Sequence, residues 1–310
     1  MPPKIFLIHP PIAKCSETPA GIAKLSACLN ANKIPHDIID ANLEGILYLL
    51  KDASNNSKTA DRWTKRSVKN LDRNLVALQD INTYQNHSRY QRAVMDINHL
   101  LNVAGKLRHV DLSLADYNDQ RLFPVKSVDL ISAAEKPHIN PFYPYFQHRL
   151  IKALEDNPDF IGFSLNYLSQ ALCTFAMMGF IKQIHPRQKI ILGGSLVTSW
   201  TKLGTHNDIF KGLVDHMVAG AGEQKLLEIL DIKESLTGSP PDYNGFPLDQ
   251  YLSPGLILPY SGARGCYWHK CAFCPEKAEG HAYLPLEISE VTEELQILIR
   301  LSLFSKSGKV

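Results

Sequence analysis

The chain of 310 residues predicts an α/β protein built on a doubly wound parallel sheet. Three observations carry that expectation. Continuous apolar runs of strand length recur, and their lack of alternation marks strands buried on both faces. A helical pattern follows almost every one of them. Glycine stands at the end of the later runs, where a strand must turn sharply into a helix.

The elements follow in order. Lys4 to His9 (KIFLIH) reads as the first strand, Ala20 to Ala31 as a helix with Ile22, Leu25 and Leu29 on one face, and His36 to Asp40 as a second strand. From about residue 50 to 125 the pattern lapses into a polar stretch rich in Asn, Lys and Arg. Its helical spacing (Leu71, Leu75, Leu78; Val94, Ile97, Leu101) predicts a mostly helical insertion. Alternation resumes with the helix FQHRLIKALED, strand FIGFSLN, helix ALCTFAMMGFIKQI, strand KIILGG, helix SLVTSWTKLG, strand VDHMVAG and helix EQKLLEILDI. About five parallel strands are expected over residues 1–232. Residues 233–254 turn to Ser, Thr, Gly and Pro and read as a linker. A second unit, 255–310, opens with the strand-like GLILPYSGARG and closes with the helix ISEVTEELQILIRLSLF.

Composition is that of a globular chain, with 45% hydrophobic and 21% charged residues and a formal charge of +2. The N-terminal apolar stretch is too short for a signal peptide, and no apolar run reaches membrane-spanning length. A cytoplasmic protein is the expectation. No strongly basic face or aromatic–basic stripe is evident, so neither nucleic acid nor membrane is expected as a partner.

Of the six cysteines, Cys15, Cys28 and Cys173 are scattered and read as inert core thiols. The other three, Cys266, Cys271 and Cys274, fall within nine residues in GARGCYWHKCAFCP. Their C-x4-C-x2-C spacing after a strand-like run offers three thiolates to one metal centre. Zinc would require a fourth ligand, for which His269 and His281 are candidates. An iron–sulfur cluster accepts three cysteines when its remaining iron binds a small molecule.

The run Gly265–Cys274 resembles the cluster loop of the radical S-adenosylmethionine superfamily, with one residue more than the commonest C-x3-C-x2-C spacing. With the sheet-forming region and Pro-rich segment before it, the chain resembles the cobalamin-binding branch. The resemblance implies a Rossmann-like cobalamin domain followed by a (β/α) barrel. It implies a 4Fe–4S cluster on Cys266, Cys271 and Cys274, S-adenosyl-L-methionine on the open iron, and Phe273 packing by the adenine. It implies cobalamin contacts at the strand ends: Ser164, Gly193, Gly194, Ser195, Gly220, Gly222 and Glu223. No D-x-H-x-x-G motif occurs, so cobalamin is expected without histidine ligation. The implied activity is methyl transfer or related radical C–H chemistry on a small-molecule or peptide substrate, with a flavodoxin- or ferredoxin-type reductant. A barrel needs on the order of 200 residues, and the region after the linker supplies its first βα unit only, so an N-terminal fragment is expected. A non-catalytic cobalamin-binding module and a zinc-stabilised α/β protein are the alternatives.

Overall fold

The structure is a computed structural model that describes residues 2–55, 61–204, 207–232, 240–272, 274, 276–277 and 282–307. Its centre is a five-stranded parallel sheet in the order β2-β1-β5-β6-β7, formed by β1 (Ile5–Ile8), β2 (His36–Ile39), β5 (Phe160–Ser164), β6 (Lys189–Gly193) and β7 (His216–Met217). The register runs Ile5 beside His36 on one side and Phe160 on the other, then Phe160 beside Lys189. Every residue of β1 is buried, as expected of a strand with sheet and helices all round it. β7 is shorter than the expected VDHMVAG strand. It is an edge strand that pairs with β6 at two residues, and Gly220 (φ +78°) turns the chain soon afterwards.

The order of the strands creates a switch point. From β1 the chain winds outward to β2 through α1 (Ala20–Ala31), then returns to the opposite side of β1 as β5. Two groups of helices flank the sheet. One is α1 packed on α11 (Gly222–Ile229); the other joins α2 (Ala41–Asn55), α8 (Tyr143–Glu155) and α9 (Leu168–Ile184). α10 (Ser195–Lys202) joins the second group through Trp200, Phe210 and Phe175, the last two with ring centroids 4.7 Å apart. Helix α7 (Ser127–Glu135) lies so close to α9 that a Cβ at Gly179 would stand 1.9 Å from the carbonyl oxygen of Ala134.

The expected insertion is helical over α3 (Arg62–Lys69), α4 (Leu71–Leu78), α5 (Ile81–Tyr84) and α6 (His87–Lys106). Two features depart from the sequence reading. Helix α2, with Leu43, Ile46 and Leu50 buried, belongs to the sheet-flanking layer. The insertion also contains an antiparallel pair, β3 (Val110–Leu112) with β4 (Tyr117–Asp119), too short to declare itself by alternation.

The Ser/Thr/Gly/Pro-rich segment is a packed strap over its described residues, 240–254. Tyr243, Phe246, Tyr251 and Leu252 are all buried. Asp242 N donates to Ala23 O at 3.0 Å and Leu252 N to Cys15 O at 2.8 Å, tying the strap to α1 and to the loop after β1. Tyr251 Oη donates to the buried carboxylate of Asp40 at the end of β2. Burial, with that carboxylate second, pushes the Tyr251 phenol well up, so it remains a donor at neutral pH.

Beyond the strap the expected first barrel strand is not formed. In Gly255–Arg264 only β8 (Ala263–Arg264) is strand, and it pairs antiparallel with β9 (Leu284–Pro285). A parallel strand needs a parallel neighbour, and none lies beside this run among the described residues. Helix α12 (Ile288–Ser307) follows, anchored by buried Leu298 and by Tyr260 Oη donating to Glu294.

The strap therefore contributes to the stability of the sheet region. Tyr251→Phe keeps the ring but removes the donor facing a buried carboxylate, an expected loss of about 1–3 kcal/mol. Urea unfolding followed by far-UV circular dichroism measures it. An unchanged midpoint would show the strap to be detachable.

Candidate functional site

A cavity of about 500 Å3 opens over the carboxyl ends of the strands, where open α/β sheets bind ligands at their switch point. Leu7 of β1, Gly162 to Ser164 of β5, Gly193 of β6 and Val218 after β7 supply its floor. The first turns of α1, α10 and α11 supply its walls, and Pro259 to Ser261 supply a further side. Its volume is that of a small-molecule or cofactor site. All seven strand-end residues singled out in the sequence (Ser164, Gly193, Gly194, Ser195, Gly220, Gly222, Glu223) line this one cavity.

The glycines differ in what requires them. At Gly194 (φ +112°) a Cβ would come within 2.3 Å of Leu165 O, so the fold itself demands glycine. At Gly193 the nearest atoms would be those of Val218 at 3.6 Å, an ordinary contact, and at Gly21 only Ser164 Oγ at 3.9 Å. Among the described residues no packing contact requires those two positions to be bare, and both line the cavity. Gly222 is intermediate, its Cβ falling 3.3 Å from Leu25 Cδ2.

Polar residues that sequence reasoning missed hold the turns. Asn166 Oδ1 accepts from Ser195 N at 3.0 Å, and Asn166 Nδ2 donates to Ser164 Oγ at 3.1 Å, joining β5 to α10. Gln170, fully buried, accepts from Asn166 N and Tyr167 N through Oε1 and donates to Pro10 O through Nε2 at 2.7 Å. Thr198, also buried, accepts from Gly220 N at 2.9 Å and donates to Gly194 O at 3.0 Å. Nothing in their spacing distinguishes these residues from ordinary loop and helix positions; only the fold brings them to one edge.

A second, more polar chamber of about 440 Å3 adjoins the first and shares Gly21, Asn166, Ser195 and Pro259 with it. His9, at the end of β1, lines it and is 6% exposed. Its Nδ1 is buried and has no hydrogen-bond partner among the described residues. Burial holds the imidazole below its ordinary pKa, against a smaller upward pull from Asp40.

The cysteine loop starts five residues after Ser261. Gly265 (φ +71°) and His269 (φ +48°) turn its backbone, and Cys266, Cys271 and Cys274 are free, partly exposed thiols. Tyr267 packs edge-on to Tyr283 at 5.8 Å, and Lys270 Nζ lies 4.9 Å over the Trp268 ring. Three thiols on one loop are donors of the kind that ligate soft metals, zinc and iron–sulfur clusters alike. Among the described residues no three or more Cys, His, Asp or Glu side chains are gathered to hold a metal ion. Phe273 and His281 lie outside the described residues. The other cysteines are core groups: burial, then the Glu223 carboxylate, pushes Cys28 up to about 11, and burial raises Cys15 and Cys173 further.

Comparison with known proteins finds no matching family model, no matching curated protein and no matching solved structure. Also, no helix among the described residues is long and apolar enough to cross a membrane.

His9 makes the pH dependence of stability a test of the edge geometry. Its folded pKa lies below the ordinary 6.5, so the unfolded chain binds the proton more readily. Stability is then lost as pH falls below 6.5 towards the folded value. The His9→Gln variant should lack that component. Parallel wild-type and variant profiles between pH 7.5 and 5 (about the range in which histidine titrates) would place the imidazole in water.

Proposed function

We propose that the chain binds cobalamin in the cavity at the carboxyl edge of its sheet. We further propose that Cys266, Cys271 and Cys274 hold a 4Fe–4S cluster whose open iron takes S-adenosyl-L-methionine. The chain then functions in a cobalamin-dependent radical S-adenosylmethionine enzyme, in methyl transfer or related radical C–H chemistry. The observation that carries the reading is the convergence on one cavity of all seven residues assigned to cobalamin from the sequence.

The residues fit the group in two respects. Gly193 and Gly21 leave backbone exposed where no neighbour requires it, as close approach of a large flat ligand would. The remaining lining is mostly apolar, with Ser164, Asn166 and Ser195 as its fixed polar points. At the loop, the fit is one of donor chemistry: three thiols with no disulfide among them. Gathering them is assigned to metal loading, since metal binding commonly completes the folding of its own site.

When bound, these cofactors supply one-electron and group-transfer chemistry that side chains cannot. The chain's own contribution is positioning. Gln170 and Asn166 fix the turns against which a ligand rests. The strap brings Pro259, Tyr260 and Ser261 to the cavity wall just before the cysteine loop, which places the two proposed cofactor sites on one continuous segment. Tyr243 Oη donating to Pro259 O at 2.5 Å holds that wall to the packed part of the strap.

Two variants separate the halves of the proposal. Gly193→Val adds a side chain at a position that lines the cavity, where its Cβ would meet Val218 at an ordinary 3.6 Å. It should abolish co-elution of hydroxocobalamin on gel filtration while leaving the circular dichroism spectrum unchanged. The Cys266→Ala/Cys271→Ala/Cys274→Ala variant should retain hydroxocobalamin and lose the iron and sulfide that the wild type takes up on anaerobic reconstitution. Wild-type protein that carries one zinc and no iron would overturn the cluster. Retention of hydroxocobalamin by Gly193→Val would overturn the cavity assignment.

A further inference from the structure

The helical insertion uses its carboxylates and its cations differently. Residues 61–107 contain eight Lys and Arg against four Asp and no Glu. Three of the four aspartates are engaged by the fold. Asp61 accepts from Trp63 N and Thr64 N to cap α3, and Asp80 accepts from Asn82 N to cap α5. Asp96 is buried between helices. Arg73, Arg89 and Arg92 are exposed, and Arg73 and Arg92 have no carboxylate within ion-pair distance among the described residues. Arg89 lies within electrostatic reach of Asp80.

These three arginines, one from α4 and two from α6, frame a single concavity of about 490 Å3 with Asn74, Asn86 and Ser88. A second concavity of about 360 Å3 adjoins it through Ser88 and Arg92 and contains Trp63, Arg66 and Asp96. Trp63 is 40% exposed, yet its orientation is fixed. Its ring stacks on His99 at 3.9 Å and 8°, and Nε1 donates to Asp96 Oδ1 at 2.9 Å. The same carboxylate oxygen accepts from Arg66 Nη2 at 2.9 Å, and His99 Nε2 is held by Thr64 Oγ1 at 2.9 Å. A buried carboxylate thus sets both an aromatic ring and a guanidinium at the rim, which lowers the ordering cost of binding.

We propose that the two concavities form a nucleotide site, with phosphate held by Arg73, Arg89 and Arg92 and a base stacked at Trp63. Guanidinium groups meet phosphate oxygens with two parallel donors. An exposed indole accepts any base on its face. A free nucleoside diphosphate and a single-stranded oligonucleotide offer the same chemistry. The site lies outside the sheet-edge cavity, shares no lining residue with it, and does not depend on the cobalamin reading. The pattern was invisible along the chain because Trp63, Arg73 and Arg89 stand on three different helices.

The test uses the full chain with three probes: inorganic pyrophosphate, ADP and a fluorescein-labelled single-stranded oligouridylate of about eight nucleotides, a length within the usual single-strand site range. Tryptophan emission and probe anisotropy are the readouts. Binding should quench emission, and Trp63→Leu should abolish the quenching although Trp200 and Trp268 remain. Arg73→Ala/Arg92→Ala should weaken binding by about tenfold or more and flatten its salt dependence by about one unit of slope per arginine. Quenching by ADP assigns the site to free nucleotides, and quenching by the oligonucleotide alone assigns it to a strand. Failure of all three probes overturns the proposal. Pyrophosphate binding as tightly as ADP, with Trp63→Leu unaffected, overturns it too. If Trp63→Leu lowers the thermal midpoint, the arginine variant decides, and wild-type affinity in that variant overturns the site.

Discussion

The carboxyl edge of the sheet depends on one buried amide. Gln170 sits at the start of α9 with no exposed surface, and its side chain bridges the loop after β1 to the loop after β5. Those loops part at the switch point, where backbone groups lose their ladder partners and would otherwise be orphaned. The amide satisfies three of them at once. From there the order propagates: Asn166, fixed by Gln170, fixes Ser195 N, and α10 can start beside the end of β6. The cavity exists because this chain of hydrogen bonds keeps the turns apart and in register.

That dependence explains the division of labour among the glycines. Gly194 is demanded by the approach of Leu165, one residue before Asn166, so it serves the same junction as the amide. Gly193, its neighbour, serves no such contact. Adjacent glycines in one motif therefore have separate causes, one internal to the fold and one facing outward. Motif reading cannot separate them, since both present the same absence of a side chain.

The sheet was legible because buried parallel strands are continuous apolar runs and the turns after them carry glycine. The cavity lining was legible for the same reason, as strand ends in this architecture share one edge. What escaped was decided by pairing and packing at long range. Residues 240–254 have the composition of a linker, but Tyr243, Phe246, Tyr251 and Leu252 find places against α1, β2 and the loop after β1. The run after them has the composition of a strand, but no parallel neighbour is there to pair with it. Composition reports what a segment can do; a partner elsewhere in the chain determines which option it takes.

The strap gives the two proposed cofactor sites a physical connection. Its first half is fixed to the sheet region by Tyr251 on Asp40 and by Leu252 N on Cys15 O. Its continuation forms a cavity wall at Pro259 to Ser261, with Tyr260 held by Glu294 of α12. The cysteine loop therefore begins on a segment already restrained at two points. An occupant of the cavity would restrain a third, at the wall itself, and so reduce the conformational freedom that gathering three thiols must remove. By linkage, a loaded loop would favour the occupied cavity to the same degree. This coupling needs no rearrangement of the sheet, because the shared element is the strap.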